Sequence, residues 1–196
     1  EGWTAQSRAK DAFLLDDRYN GGGFVPVDMI FRVGQPTLNW WARRHRELGP
    51  APANAFDGPR AMLINGYSSS GGDAFPYYFR KLGLGKLIGQ RTWGGLVGYS
   101  GTPTLVDGGG LAVPNFAFVN TDGEWDVEAY GVEPDLEVFD DPTLIQAGRE
   151  PMLEIAVRQL LDELAARPAA RRPEVPASPD RRGLVDPDDA PFRRKR

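Results

Sequence analysis

Apolar residues in this chain occur in short runs, separated by turns that are rich in glycine, proline and polar side chains. Three of these runs, residues 12–16, 60–65 and 86–89, contain few polar positions, which is typical of strands buried on both faces. Residues 102–120 combine Val, Leu and Phe with a Gly-Gly-Gly break and a proline, a pattern that indicates short strands and hairpins.

Other segments repeat apolar residues at helical spacing. Proline and glycine boundaries indicate two more helices, at residues 37–48 between Pro36 and Gly49 and at residues 73–82 before Gly83, whereas helical spacing occurs in residues 27–31 after Pro26 and in residues 151–166. In the last segment we expect one face to lie in the core, made of Leu153, Val157, Leu160, Leu161 and Leu164. Strands and helices therefore alternate along the chain, which predicts an α/β fold.

Length, composition and charge exclude several classes of protein. The chain has 196 residues, 41% of them hydrophobic, and a net charge of −4, which suits one domain and a tail. The absence of cysteine excludes disulfides, thiolate zinc sites and cysteine nucleophiles, and a single histidine, His45, excludes histidine-rich metal sites. Mild acidity argues against nucleic-acid binding, and no apolar run is long enough for a membrane helix. We expect a cytoplasmic globular protein.

The C-terminal segment, residues 168–196, differs from the rest of the chain. It contains 6 Pro, 8 Lys or Arg and 5 Asp or Glu, and it has little apolar content. Such a segment cannot bury enough surface to offset the entropy of ordering it. We expect residues 1–167 to form the folded domain, followed by a tail that is disordered or ordered only by a partner.

Two glycine-rich turns follow the first two predicted strands, at residues 20–23 and 67–72. In α/β sheets, sites form where strands end and helices begin. Ser70 would be exposed there, close to free backbone N–H groups at a helix N-terminus. Taken alone, such a serine is more often a helix N-cap, and such glycines more often mark a tight turn. Chemistry requires N–H groups from both turns to face one carbonyl oxygen.

Longer motifs contain these turns. They are DRYNGGG at residues 17–23, NGYSSSGGD at residues 65–73 and GLGKLIGQRTWGG at residues 83–95. Together they resemble the tricorn core protease family, serine peptidases related to the C-terminal processing proteases. The resemblance extends over residues 11–164. It implies the family's C-terminal catalytic subdomain, a single domain with the α/β spiral of strands and helices shared by Clp proteases and crotonases.

The same resemblance implies a site that hydrolyses peptide bonds of intracellular peptides. Ser70 matches the family's nucleophile, and the N–H groups of Gly71 and Gly23 match its two oxyanion donors. Glu128 matches the glutamate that completes the catalytic set. Without the resemblance, Glu128 would be an ordinary loop carboxylate. No metal or organic cofactor is implied.

Two departures concern the catalytic base. In processing proteases the base is a lysine in a Thr-Phe-Gly-Lys segment. This chain has Gly95 at the position of that lysine, which fits the tricorn branch. That branch uses a histidine preceded by a serine in an upstream subdomain, and this chain has no Ser-His pair. His45 lies among arginines that disfavour its protonated form, so a surface or helix-face histidine is the better interpretation. The resemblance therefore implies a missing N-terminal portion of the same protein, a chain inactive by itself, and a homo-oligomer, commonly a hexamer.

Two other functions are compatible with the sequence. A crotonase-like acyl-CoA enzyme would share the fold and the paired N–H groups without needing the hydroxyl of Ser70. A non-catalytic peptide-binding or assembly module would keep the turns for structure alone. In the first, Ser70→Ala would leave activity largely intact. In the second, binding would tolerate both Ser70→Ala and Glu128→Ala.

Overall fold

The computed structural model describes residues 10–24, 26–167 and 172–177. Its strands are β1 (Phe13–Asp16), β2 (Asn39–Trp41), β3 (Gly49–Ala51), β4 (Arg60–Ile64), β5 (Lys86–Gly89), β6 (Val97–Gly98), β7 (Phe116–Ala117) and β8 (Leu136–Glu137). Its helices are α1 (Pro26–Val33), α2 (Gly71–Lys81), α3 (Pro142–Gln146) and α4 (Pro151–Ala166). The predicted strands at 12–16, 60–65 and 86–89 are confirmed, as are the predicted helices after Pro26 and at 73–82 and 151–166.

The centre of the fold is a parallel sheet with the strand order β1-β4-β5-β8. Side chains of β4 alternate between its two faces, and both faces are apolar. Met62 and Ile64 pack with α1 and α2, whereas Ala61 and Leu63 pack with α4. Helices thus cover both faces of the sheet, as a parallel sheet requires. The single-domain α/β fold is confirmed, and no helix within the described ranges is long and apolar enough to cross a membrane.

Residues 37–48 do not form the predicted helix. Instead, β2 pairs with β3 as an antiparallel hairpin, and His45 lies in the turn between them with a φ of 61°, a left-handed conformation that no helix contains. The apolar residues of this segment lack a helical stripe that could face the core, and Leu38 and Trp41 are exposed. Strand pairing therefore satisfies the backbone groups that a helix would otherwise satisfy.

Helix α4 buries a narrower face than the sequence predicts. Met152, Ala156 and Leu160 are in contact with the sheet, at a spacing of four residues. Three residues of the predicted core face are exposed: Leu153, Val157 and Leu161. Apolar residues occupy more than one side of this helix, so its pattern predicts burial without specifying which side packs.

The predicted hairpin region supplies one strand of a two-stranded sheet. Its β7 pairs antiparallel with β6, which follows the third predicted strand in the chain. Val119 also forms an isolated bridge with Trp125. Residues 102–115 contain neither helix nor strand. The prediction of hairpins is therefore confirmed for the end of this region only.

Only residues 172–177 of the predicted tail are described, and they contain neither helix nor strand. Arg172 donates a hydrogen bond of 2.8 Å to the carboxylate of Glu47, and its guanidinium lies 5.9 Å from the ring centre of Trp40. Residues 168–171 and 178–196 lie outside the described residues. Disorder of the tail stays a prediction.

Arg18 connects the end of β1 to the start of α4. Its guanidinium lies 2.7 Å from Asp16, 3.0 Å from Asp140 and 3.0 Å from Glu150, and only 13% of its side chain is exposed. We expect Arg18→Ala to lower the free energy of unfolding by about 1–2 kcal/mol, because three carboxylates lose their shared partner. Urea denaturation measures this change.

A matched control is Arg149→Ala, which breaks the ion pair between Arg149, just before α4, and Glu154 in the first turn of that helix. Both side chains of that pair are substantially exposed, so water replaces the lost contact at little cost. If Arg149→Ala lowered stability as much as Arg18→Ala does, the three carboxylate contacts of Arg18 would contribute no more than an ordinary surface ion pair.

Candidate active site

The two glycine-rich turns of the sequence meet at the carboxyl edge of the sheet, one after β1 and the other after β4. A Cβ atom at Gly22 would lie 2.7 Å from Cβ of Ser70 and 3.0 Å from its Oγ. A Cβ atom at Gly71 would collide with the carbonyl oxygen of Gly23. The backbones can approach this closely only because side chains are absent on both sides.

Hydrogen bonds hold the two turns together. The N–H of Ser69 donates to the carbonyl oxygen of Asn20 at 2.9 Å. The buried side chain of Asn65 accepts two backbone N–H groups through Oδ1, from Tyr19 at 3.2 Å and from Tyr67 at 3.1 Å. One amide side chain at the end of β4 therefore positions both turns.

Ser70 lies at the N-cap of α2, so the interpretation of this serine as a helix N-cap is correct for its position. Its backbone has φ 55° and ψ −112°, a conformation that L-residues rarely adopt and that costs about 1–3 kcal/mol. Its own N–H donates to Oδ2 of Asp73 at 2.7 Å. A strained, half-buried serine on a sharp strand-to-helix turn is an arrangement found at functional sites.

Asp73 is a site residue that the sequence pattern did not reveal. Its side chain is fully buried, and Oδ1 accepts the N–H of Gly94 at 2.8 Å. Its Oδ2 accepts the N–H of Gly95 at 3.1 Å as well as that of Ser70. The available sequence signal was an acidic residue three positions after a serine N-cap.

Glu128 contributes to the site from another loop. Its Oε2 accepts two backbone N–H groups, from Leu96 at 2.7 Å and from Val97 at 2.9 Å. The residues on either side of it, Val127 and Ala129, have φ values of 68° and 66°, so this loop is strained as well. Among the described residues no hydrogen bond joins Glu128 to Ser70, and Oε1 of Glu128 has no partner.

A cavity of about 720 Å³ adjoins Ser70, Gly71, Gly23 and Glu128, and so brings the four predicted site residues together. Its other lining side chains are mostly apolar, among them Phe24, Tyr78, Leu96, Val97, Phe116 and Phe118. The rings of Phe24 and Phe116 lie 6.0 Å apart. Within the described ranges, Glu128 is the one charged residue in the lining.

The structure separates His45 from this cavity. His45 is exposed in the turn of the β2–β3 hairpin and does not line the cavity. The prediction that it lies on a helix is therefore wrong, and the prediction that it lies on the surface is correct. Gly95, which stands where processing proteases have lysine, does line it. No group of three or more His, Asp or Glu side chains in the described part of the chain is arranged to hold a metal ion.

Comparison with known proteins identifies the family. The sequence profile of peptidase family S41 matches residues 3–138, which include all four predicted site residues. This chain belongs to peptidase family S41.

The S41 chain is similar to the tricorn protease of Thermoplasma acidophilum, with 41% identity over 151 residues, 77% of this chain and 14% of that protein. The tricorn protease of Thermoplasma volcanium is 38% identical over 156 residues, 80% of this chain and 15% of that protein. The crystal structure of the tricorn protease matches with a TM-score of 0.75 at 40% identity, covering 79% of this chain and 15% of that chain. The resemblance indicated by the three motifs is confirmed, and the S41 chain spans about one seventh of these relatives.

A second buried aspartate of the S41 chain, Asp17, begins the first turn. Its Oδ1 accepts a 2.8 Å hydrogen bond from the side-chain amide of Asn20, and its carbonyl oxygen accepts one from the hydroxyl of Ser68. Its Oδ2 has no partner among the described residues. Burial raises the pKa of Asp17 from 3.8 to about 7, so this carboxyl holds its proton at pH values where an exposed aspartate is ionised.

Proposed function

We propose that this chain carries the nucleophile and oxyanion site of a serine endopeptidase that hydrolyses intracellular peptides. The observation that carries the proposal is the packing of Gly22 against Ser70 and of Gly71 against Gly23. A Cβ at Gly22 would also lie 3.0 Å from the nitrogen of Gly71, and one at Gly71 would lie 2.9 Å from the nitrogen of Gly23, so the packing places both backbone nitrogens where the two turns meet. Membership of family S41 and the likeness to tricorn proteases support the same reaction.

In the proposed mechanism, Oγ of Ser70 attacks the carbonyl carbon of the scissile peptide bond, and its proton passes to a histidine base. The N–H groups of Gly23 and Gly71 stabilise the negative oxygen of the tetrahedral intermediate, which collapses as the base protonates the leaving amine. Water, deprotonated by the same base, then hydrolyses the ester on Ser70. Glu128 uses its remaining oxygen, Oε1, to orient the base, because Oε2 is occupied by Leu96 and Val97.

The base comes from outside residues 10–167 in this proposal. His45 is exposed on a hairpin turn away from the cavity, and Gly95 has no side chain to offer. An N-terminal portion of the same protein, in the same polypeptide or as a separate subunit, supplies the histidine. The cytoplasmic location and the homo-oligomer, a hexamer by resemblance, belong to the same proposal. So does the assignment of residues 1–167 to one catalytic subdomain.

The cavity suggests which peptides bind. An apolar lining favours an apolar side chain next to the scissile bond, since burying it removes apolar surface from water without leaving a charge unpaired. We therefore expect cleavage next to residues such as Leu or Phe. A peptide amide of this kind, with a fluorogenic leaving group, is a suitable substrate for activity measurements.

Labelling with a fluorophosphonate tests the nucleophile. We would treat this chain alone, and this chain joined to the sequence that precedes it in the intact protein, and map the labelled peptide by mass spectrometry. Labelling at Ser70 in the longer form, absent in Ser70→Ala and retained in Ser69→Ala and His45→Gln, is the expected result. Ser69 is the matched control because it lines the same cavity one residue away.

Two outcomes would overturn parts of this proposal. No labelling of either form, or labelling that survives Ser70→Ala, would exclude Ser70 as an activated nucleophile. If the short chain labels as fast as the longer form, the peptidase proposal stands but the base does not come from outside this chain. If that labelling is lost in His45→Gln, His45 is the base.

A further inference from the structure

Asp73 has no part in the proposed chemistry, although its side chain is fully buried beside Ser70. A buried carboxylate is costly unless hydrogen bonds replace its water. Asp73 accepts three such bonds, all from backbone N–H groups: Ser70 at 2.7 Å, Gly94 at 2.8 Å and Gly95 at 3.1 Å. The charge also lies in the first turn of α2, where the helix dipole favours it.

Helix capping explains one of these three hydrogen bonds but not the other two. An acidic residue at the third helical position commonly accepts the N–H of the N-cap residue, which explains the contact with Ser70. Helix capping does not explain the contacts with Gly94 and Gly95, because those residues belong to a different loop, after β5. Asp73 therefore connects the turn that carries the nucleophile to a separate segment of the site.

That segment is also held from its other side. Gly94 and Gly95 are followed by Leu96 and Val97, whose N–H groups bind Oε2 of Glu128. The carbonyl oxygen of Gly94 accepts the N–H of Ala129, the residue after Glu128, at 2.7 Å. Four consecutive N–H groups, at residues 94–97, are thus divided between the carboxylates of Asp73 and Glu128.

We infer that Asp73 is a positioning residue, which sets the direction of the Ser70 side chain relative to the segment 94–97 and the glutamate bound to it. Ser70 adopts a strained backbone, and the bond from its own N–H to a buried carboxylate opposes relaxation of that strain. A relaxed Ser70 would turn Oγ away from the oxyanion site. The inference rests on the proposed peptidase function, because it assigns Asp73 to the same nucleophile.

Asp73→Asn is the direct test. Asparagine has the same shape but only one accepting oxygen, so at least one of the three N–H groups loses its partner. In the form of the protein that labels at Ser70, we expect kcat on the fluorogenic peptide to fall about 100-fold. The rate of fluorophosphonate labelling should fall in parallel. KM should change less than about 3-fold, because Asp73→Asn leaves the apolar side chains of the cavity in place and Glu128 still holds Leu96 and Val97.

Asp141→Asn is the matched control. Asp141 also caps a helix, with Oδ1 accepting the N–H of Thr143 at 2.7 Å at the start of α3, but it does not line the cavity. Asparagine caps helices about as well as aspartate does, so Asp141→Asn should change neither the stability nor kcat appreciably. A decrease in kcat as large as that of Asp73→Asn would mean that replacing any helix-capping aspartate by asparagine slows the enzyme, and would overturn the positioning role.

Failure of the proposed function and failure of the positioning role give different results. If the unsubstituted protein neither labels at Ser70 nor cleaves the peptide, the proposed function fails. If it does both and Asp73→Asn keeps its kcat, only the positioning role fails. Should Asp73→Asn not fold, amide hydrogen exchange of the unsubstituted protein decides: the N–H groups of Ser70, Gly94 and Gly95 should all be protected. Rapid exchange at Gly94 and Gly95 would refute the connection.

Discussion

Gly22→Ala should lower the rate of fluorophosphonate labelling at Ser70 by about 100-fold or more, the size of effect seen when one oxyanion donor is lost. Two physical reasons act together. Gly22 has a φ of 107°, which L-residues rarely adopt, so the first turn would have to change its backbone conformation. The added Cβ would also lie 2.7 Å from Cβ of Ser70, so either the serine or the turn must move.

Gly21→Ala provides the matched control for this experiment. A Cβ at Gly21 meets no atom within 4 Å, and its φ is outside the left-handed region, so the same methyl group is added one residue away without strain. Labelling within about 2-fold of the unsubstituted rate is expected there. If Gly22→Ala labels as fast as Gly21→Ala, the close packing of the two turns has no part in forming the site.

Asp17→Asn should raise the free energy of unfolding at pH 8 by about 2–4 kcal/mol and leave it nearly unchanged at pH 4. Burial raises the pKa of Asp17 from 3.8 to about 7, so the folded chain holds a proton that the unfolded chain releases near pH 4. Stability is therefore lost as pH rises from about 4 to about 7, and stays lost above that window. Asparagine at this position keeps an oxygen that can accept the hydrogen bond from the side-chain amide of Asn20, and its side chain does not ionise.

Urea denaturation at pH 4, 6 and 8 measures this difference. Asp162→Asn removes one formal charge from an exposed position on α4 and so controls for the change in net charge. Parallel pH curves for Asp17→Asn and the unsubstituted chain would show that folding does not raise the pKa of Asp17. The unpartnered Oδ2 would then need a partner outside the described residues.

The parts of the fold that were predictable are those where burial leaves a local pattern. Residues 61–64 are apolar without interruption because β4 is covered on both faces. The β2–β3 hairpin was missed because its stability comes from pairing between residues 8 to 12 positions apart, which leaves no periodic signature. The core face of helix α4 was predicted only in part, with Leu160 correct, because the exposed Leu153 and Leu161 are as apolar as the buried Met152.

In the site, too, residues required by a local conformation were predictable, whereas contacts between distant residues were not. Ser70 and its glycine neighbours stand out in the sequence, because a sharp strand-to-helix turn and a close backbone approach require specific residue types. The role of Asp73 does not stand out, because its partners are backbone N–H groups, which every residue except proline possesses. The attachment of Glu128 to Leu96 and Val97 was hidden for the same reason.

By itself, the sequence determined an α/β domain, its family resemblance and the residues at the two turns, since each depends on side-chain type at short range. Only the tertiary structure decided that the turns pack against each other, that His45 lies away from the cavity, and that Asp73 and Glu128 share the segment 94–97. These facts depend on contacts between residues distant in the chain. Such contacts form when the parallel sheet aligns the carboxyl ends of its strands at one edge.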